Sequence, residues 1–235
     1  TKTLMIVRND RSVCEWYADG FSRNRVHYTA SLAKAIVGGM SLALAIDDGL
    51  ISPDDPASKY VPSWRDDPLK SKITVRHLAT HYSGIEDAEQ DGLPHNKLPG
   101  WKGEFWRRDP NPFLNARDDA PVISEPGRES HYSNPGMAML SHCVTAALRG
   151  APQSDIRTLL RRRVMEPIGV PAREWSMGYG KVYPLDGLPL CANWGGGGYS
   201  PNAVAPVGRM LPGKGDWDGE RLLSEATVSL VTADA

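Results

Sequence analysis

The sequence predicts a mixed α/β (α+β) fold, with an antiparallel sheet covered by helices and a further helical region beside it. Three observations carry this. Two strand-like runs flank a polar turn at the start of the chain, a long apolar run with helical spacing follows, and two more helical runs come late.

Residues 3–8 (TLMIVR) and 13–18 (VCEWYA) read as strands joined through the polar turn NDRS, a hairpin. After the polar segment Asp19 to Arg25, the run SLAKAIVGGMSLALAIDDGL places Leu32, Ala33, Ile36, Val37, Met40, Leu44 and Ala45 around most of a helix circumference. A helix apolar on nearly all sides is a buried one. Gly49 is placed to stop it, and Ser52-Pro53-Asp54-Asp55 opens a turn. Residues 74–80 (TVRHLAT) predict a short helix capped by Thr74 and ended at Ser83-Gly84. Residues 86–124 are polar and rich in Asp, Pro and Trp, without a sustained period, and read as a long loop or insertion facing substrate. Met137 to Leu148 and Ser154 to Met165 predict helices, the second ending at Glu166-Pro167 because proline cannot continue it. Gly195 to Gly198 precede a last helix or turn around Ala203 to Leu211. A single domain over residues 1–235 is expected.

Composition narrows the function classes. The chain has 235 residues, 40% hydrophobic and 23% charged, which suits a folded domain with a sizeable core. A net charge of −1 argues against nucleic acid or an anionic membrane as partner. No apolar run reaches the roughly 18 residues that span a bilayer. The chain opens at Thr1 without an initiator Met or a charged-then-apolar leader, and reads as a processed or trimmed product. Cys14, Cys143 and Cys191 are odd in number and far apart, so three buried thiols are expected.

Chemistry concentrates at two places. Ser31 and Lys34, three apart at the start of the buried helix, share a face and can come within hydrogen-bond reach. The helix N-terminus favours a developing oxyanion there. A lysine among Leu32, Ala33, Ile36 and Val37 is desolvated, which lowers its pKa and makes it a general base for a serine nucleophile. The second place is His131-Tyr132-Ser133-Asn134-Pro135-Gly136. Tyr132 and Asn134, two apart in an extended segment, point the same way: the phenol can relay a proton and the amide can engage a substrate amide. Taken singly, each pattern also has a plain reading, a chance Ser-x-x-Lys and an Asn-capped turn.

Their order resembles the serine β-lactamase-related, penicillin-binding-protein-like hydrolases: class C β-lactamases and their esterase and D-amino-acid peptidase relatives. The phrases GLISPDDPASKYVPSW, ITVRHLATHYSGI, EPGRESHYSNPG, LLRRRVMEPIGV and GGGGYSPNAVAPVGRML are similar to that family too, in family order and over almost the whole chain. The resemblance implies a β-lactamase/transpeptidase-like fold and a serine hydrolase acting on an ester, amide or lactam without cofactor or metal. It implies that Ser31 forms the acyl-enzyme, with its backbone N–H as one oxyanion donor. Lys34 and Tyr132 would share the proton, and Asn134 would hold the substrate, a small molecule or short peptide. It also implies work outside the cytoplasm, periplasmic or secreted. One element departs. The family's third motif, K-[ST]-G or H-x-G, does not occur, and Lys214-Gly215 sits in the turn PGKGDWDGE. Further strands would follow LLSEATVSLVTADA, so the chain is expected to be incomplete at its C-terminus.

Other readings stay open at this level. A catalytically silent penicillin-binding-like protein would keep the scaffold and hold a peptide or cell-wall fragment. His77 and His81, four apart, could face one zinc, although His-Glu-x-x-His is absent. The four glycines lack the Lys-Ser/Thr of a phosphate loop, and no G-x-S-x-G elbow occurs. Arg161 to Arg163 read as the solvated end of a helix. Trp101, Trp106 and Phe113 could line an acyl pocket or anchor their loop to the core.

Overall fold

The computed structural model describes residues 1–233; the last two positions of the expected 1–235 domain lie outside the described residues. The opening hairpin forms as predicted. Strand β1 (Thr3–Arg8) pairs antiparallel with β2 (Arg11–Tyr17) through Asn9 and Asp10, both left-handed at φ 48° and 60°. Short polar side chains that bond their own backbone tolerate that region best among non-glycine residues.

The antiparallel sheet is divided into four small pieces. β3 (His27–Tyr28) and β4 (Trp175–Ser176) both pair with β7 (Gly198–Tyr199), while β1–β2 forms a separate sheet. β5 (Tyr183–Leu185) with β6 (Leu188–Leu190), and β8 (Asp216–Trp217) with β9 (Glu220–Arg221), are isolated hairpins. Strands of two or three residues offer little ladder, and Pro184 opposite Pro189 removes two donors from the β5–β6 pair.

Helices supply the core. Helix α1 (34–47) opens as a π-helical stretch, Lys34–Gly39, and continues as α-helix Met40–Asp47, with Met40 to Ala45 buried without interruption. Gly49, at φ 67°, ends it as expected. Helix α2 (Val75–Ala79) carries the predicted Thr74 cap, and α6 (156–165) passes from α-helical Ile156–Leu160 into π-helical Arg161–Met165. Helix α6 begins at Ile156 rather than Ser154 because Asp155 is its cap, accepting from the Thr158 N–H at 2.9 Å.

Helix α5 (Asn134–Ala147) starts three residues before the predicted Met137. Ser133 Oγ accepts from the Gly136 N–H at 2.9 Å, and Pro135 occupies the first turn, where its missing N–H costs nothing. A β-carbon on Gly38 would lie 2.7 Å from Met137 Cε and 3.0 Å from Asn193 Nδ2. A side chain there would have to push aside the flexible end of Met137 and press on the Asn193 amide where α1 and α5 meet.

The segment 86–124, expected as a long loop, contains α3 (Gly100–Arg107) and α4 (112–119), the latter α-helical over Pro112–Leu114 and π-helical over Asn115–Asp119. Phe105 and Phe113 are fully buried, with ring centroids 5.0 Å and 5.3 Å from the Trp194 ring. Trp101 and Trp106 are half-buried against the core. Phe113 therefore anchors the segment. The segment's apolar residues are spread over short helices separated at Asp109-Pro110, so no single period runs through them.

Cysteine placement departs from expectation at one position. Cys143 and Cys191 are buried, but Cys14 is exposed on β2. Helix α7 (Pro201–Met210) follows a Ser200 cap, and α8 (Glu225–Thr232) docks on α1, where Asp47 accepts from the Ser224 N–H and the Thr227 hydroxyl. Among the described residues no helix is long and apolar enough to cross a membrane.

Candidate active site

The N-terminal ends of α1 and α5 meet, and this brings Ser31, Lys34, Tyr132 and Asn134 together. Ser31 lies in the turn leading into α1, directly after Ala30, which is held left-handed at φ 48°. That is a costly conformation for a residue with a β-carbon, and such strain persists only where the surroundings impose it. Ser31 Oγ lies 2.7 Å from Tyr132 Oη, and Lys34 Nζ lies 3.1 Å from the same Ser31 oxygen.

Lys34 is clamped from two further directions. Its ammonium donates to Asn134 Oδ1 and to the Trp194 carbonyl, both at 2.7 Å, and sits 4.6 Å from the Tyr132 ring centroid. Burial holds its pKa down to about 8, against a smaller upward pull from Asp87 and Glu89. Tyr132 is shifted the other way, its phenol raised by burial although the Ser31 hydrogen bond pulls it down. Burial thus makes the lysine easier to deprotonate and the phenol harder.

Asn134 Oδ1 and the Trp194 carbonyl can only accept, whereas the Ser31 hydroxyl can donate. A neutral amine has two N–H groups and one lone pair. With its two N–H groups on Asn134 and Trp194, its lone pair is left for the Ser31 proton.

Three contributors to this geometry were not read in this role from the sequence. Asp87 Oδ1 accepts from the Asn134 backbone N–H at 2.8 Å and from Asn134 Nδ2 at 3.0 Å, which fixes the amide so that its oxygen faces Lys34. The Trp194 carbonyl is a backbone acceptor and has no residue signature. His81, read as a metal candidate, accepts at Nδ1 from the Ser133 N–H at 3.2 Å and stacks on Tyr132 with centroids 4.8 Å apart. His77 Nδ1 instead accepts from the Thr74 N–H at 3.3 Å, closing the α2 capping box. The two imidazoles serve separate backbone contacts, and among the described residues no group of three His, Cys, Asp or Glu is arranged to hold a metal ion. Asn134 is buried, with its oxygen on Lys34 and one amide N–H on Asp87, so one N–H remains uncommitted.

The chain is 28% identical over 145 residues to the D-alanyl-D-alanine-carboxypeptidase/endopeptidase AmpH of Escherichia coli K12, covering 60% of this chain and 34% of that one. It is 28% identical over 117 residues to the 6-aminohexanoate-dimer hydrolase of Paenarthrobacter ureafaciens, covering 48% and 29%. The matched region is therefore about a third of the length of these curated relatives. Among solved structures, the D-stereospecific amidohydrolase from Streptomyces superposes with a TM-score of 0.67 at 18% identity, over 94% of this chain and 70% of that one. The octameric penicillin-binding protein homologue from Pyrococcus abyssi does so with a TM-score of 0.66 at 20% identity, over 97% and 55%. These distant structures share the β-lactamase/transpeptidase-like fold. The family profile described as Beta-lactamase matches residues 3–177, well over half of the sequence, and the chain belongs to the β-lactamase family.

Proposed function

We propose that this chain is a serine hydrolase that cleaves an ester, amide or lactam through a covalent acyl intermediate on Ser31. The observation that carries the reading is the Ser31 oxygen, 2.7 Å from the Tyr132 phenol and 3.1 Å from a Lys34 amine whose other two contacts only accept. In the first step the Ser31 proton passes to Lys34 Nζ as Oγ bonds to the substrate carbonyl carbon. The resulting oxyanion lies at the helix start, where the Ser31 backbone N–H is one donor. The bond to the leaving amine or alkoxide then breaks, and Tyr132 passes that group a proton replenished from Lys34. Water attacks the acyl-serine in the second half, giving a proton to the same pair; the bond from Ser31 Oγ to the acyl carbon then breaks, Oγ takes that proton back and the acid leaves. Asn134, locked by Asp87, keeps Lys34 in place and offers its remaining N–H to the substrate. The hydrolase and amidohydrolase names among the relatives fit a substrate that is a small molecule or short peptide with an amide bond.

Intact mass before and after exposure to a fluorophosphonate or a penicillin tests the proposal. The expected result is one adduct, mapped to Ser31 and absent from Ser31→Ala. A folded protein that takes up neither probe would overturn the hydrolase reading in favour of a silent binding protein.

A further inference from the structure

A cleft of about 450 Å³ opens at the other end of α5, away from the Ser31 cluster. His142 lies eight residues beyond Asn134, about 12 Å along the helix axis at ~1.5 Å per residue. The cleft is walled by Lys59, Tyr60, Arg117, His142, Arg149 and Asp186. These come from separate places: the loop before α2, the π-helical part of α4, the C-terminal half of α5, the turn just beyond it and the β5–β6 turn.

Three features make it a built site rather than a surface dent. First, of the three permanent cations in its lining, one has no carboxylate partner among the described residues. Asp186 is occupied, its Oδ2 accepting from Arg117 Nη1 at 2.7 Å. Arg117 is likewise saturated, since Asp118 takes its Nε and Nη2 at 2.7 Å and 2.9 Å. Arg149 is different. Its guanidinium has no carboxylate partner among the described residues, and its one hydrogen bond is a long 3.3 Å contact to the Asp186 carbonyl. Lys59 stands opposite on an exposed stem, tied to Asp55 at 3.0 Å.

Second, His142 is 1% exposed and neither ring nitrogen has a hydrogen-bond partner. Nε2 lies 3.7 Å from the Asp186 carboxylate, beyond hydrogen-bond length. A buried polar group left unpaired costs about 1–3 kcal/mol, and native structures rarely leave one so without a reason. Burial holds the ring neutral, its pKa down to about 4, so it offers one N–H and one lone pair. Third, Ala146 and Leu188 give the cleft an apolar wall, room for a short carbon body beside a charged head.

We infer that this cleft is a second ligand site, for a small molecule carrying a phosphate or carboxylate group. The oxyanion sits between Arg149 and Lys59, with His142 donating its ring N–H from below. Arg149 supplies the planar fork that oxyanions take in two hydrogen bonds, and Lys59 a movable point charge that leaves Asp55 for the ligand. Arg117 and Asp186 are the fixed frame that positions His142 and Arg149.

The test is a titration of the full chain with inorganic phosphate and, separately, with succinate at constant ionic strength, followed by calorimetry and backbone amide shifts. Expected is saturable binding with shifts concentrated at His142, Arg149 and Asp186. Binding should weaken about tenfold or more in Arg149→Ala, the loss of one charge-assisted fork, and less in Lys59→Ala. Both residues are exposed, so both variants should fold, and Ser31→Ala should bind as the parent does. The tighter of the two anions identifies the head group. No saturation with either anion, shifts centred on Ser31, or equal affinity in both cation variants and the parent would each overturn the assignment.

Discussion

The opening hairpin and the paired helices that carry the candidate site draw on similarly apolar residues and treat them in opposite ways. On the hairpin, Leu4, Ile6, Val7, Val13 and Trp16 are between 44% and 58% exposed. On α1 and α5, Ile36, Val37, Leu44, Ala138, Met139 and Leu140 are at 5% or less. At its turn the hairpin is tied to the body by Arg209, which bridges Asp10 and Asp218 at 2.9 Å each. The helices instead interlock through the Gly38 contact. Hydrophobic sequence thus defines the hairpin's local shape, while in the helices it also fixes where Ser31, Lys34 and Asn134 stand relative to one another.

Substitutions can break or sharpen that comparison. The largest effect is expected at Phe113→Ala, which removes a fully buried ring beneath Trp194 and should cost about 3–5 kcal/mol in urea unfolding. Acylation of Ser31 should slow as well, because the Trp194 carbonyl that holds Lys34 loses its support. Next comes Asp87→Ala. It frees the Asn134 amide to turn, and probe acylation should fall about 10- to 100-fold, roughly 1.4–2.7 kcal/mol in barrier, with stability changed far less. A matching loss in both quantities would mean that Asp87 is only a fold residue.

The pH profile follows in size. In the proposed mechanism Lys34 accepts the Ser31 proton only when neutral, so below its pKa of about 8 the acylation rate should rise about tenfold per pH unit and level off above it. A rate flat from pH 6 to 9 would remove Lys34 from the base role. The stability sign is the same. Lys34 titrates lower in the folded chain than its ordinary 10.5, so between about 8 and 10.5 the unfolded state binds more protons. Its destabilising contribution is complete below that window and fades as pH rises through it. The smallest effect is expected at Val13→Thr on the hairpin, within about 0.5 kcal/mol and with acylation unchanged. If that variant unfolded as readily as Phe113→Ala, the two regions would not differ as described.

Local patterns made the elements legible. The hairpin, the buried helix with its Gly49 stop, the Thr74 cap and the helices over 134–147 and 156–165 were readable because each rests on neighbours in sequence. Ser31, Lys34, Tyr132 and Asn134 stood out because two short motifs place reactive side chains on two helix starts. Less was legible where partners are distant. Asp87 lies 47 residues from Asn134, inside a stretch whose helices are too short to show a period. The division of the sheet was hidden because strands of two residues have no alternation to read. Cys14 was misplaced because an apolar alternating strand looks the same whether or not anything covers it. His81 was noticed for its spacing from His77, whereas its contacts are to Ser133 and Tyr132.

Trp194 divides its duties in a way that bears on inheritance. Its carbonyl touches Lys34, but any residue has a carbonyl, so the contact itself leaves no mark on the genetic text. Its indole ring, wedged between Phe105 and Phe113, is what keeps the carbonyl in position. Selection for the lysine's setting would therefore be recorded in the bulk of three aromatic rings, and a lineage searched only by its reactive motifs would lose that setting unnoticed.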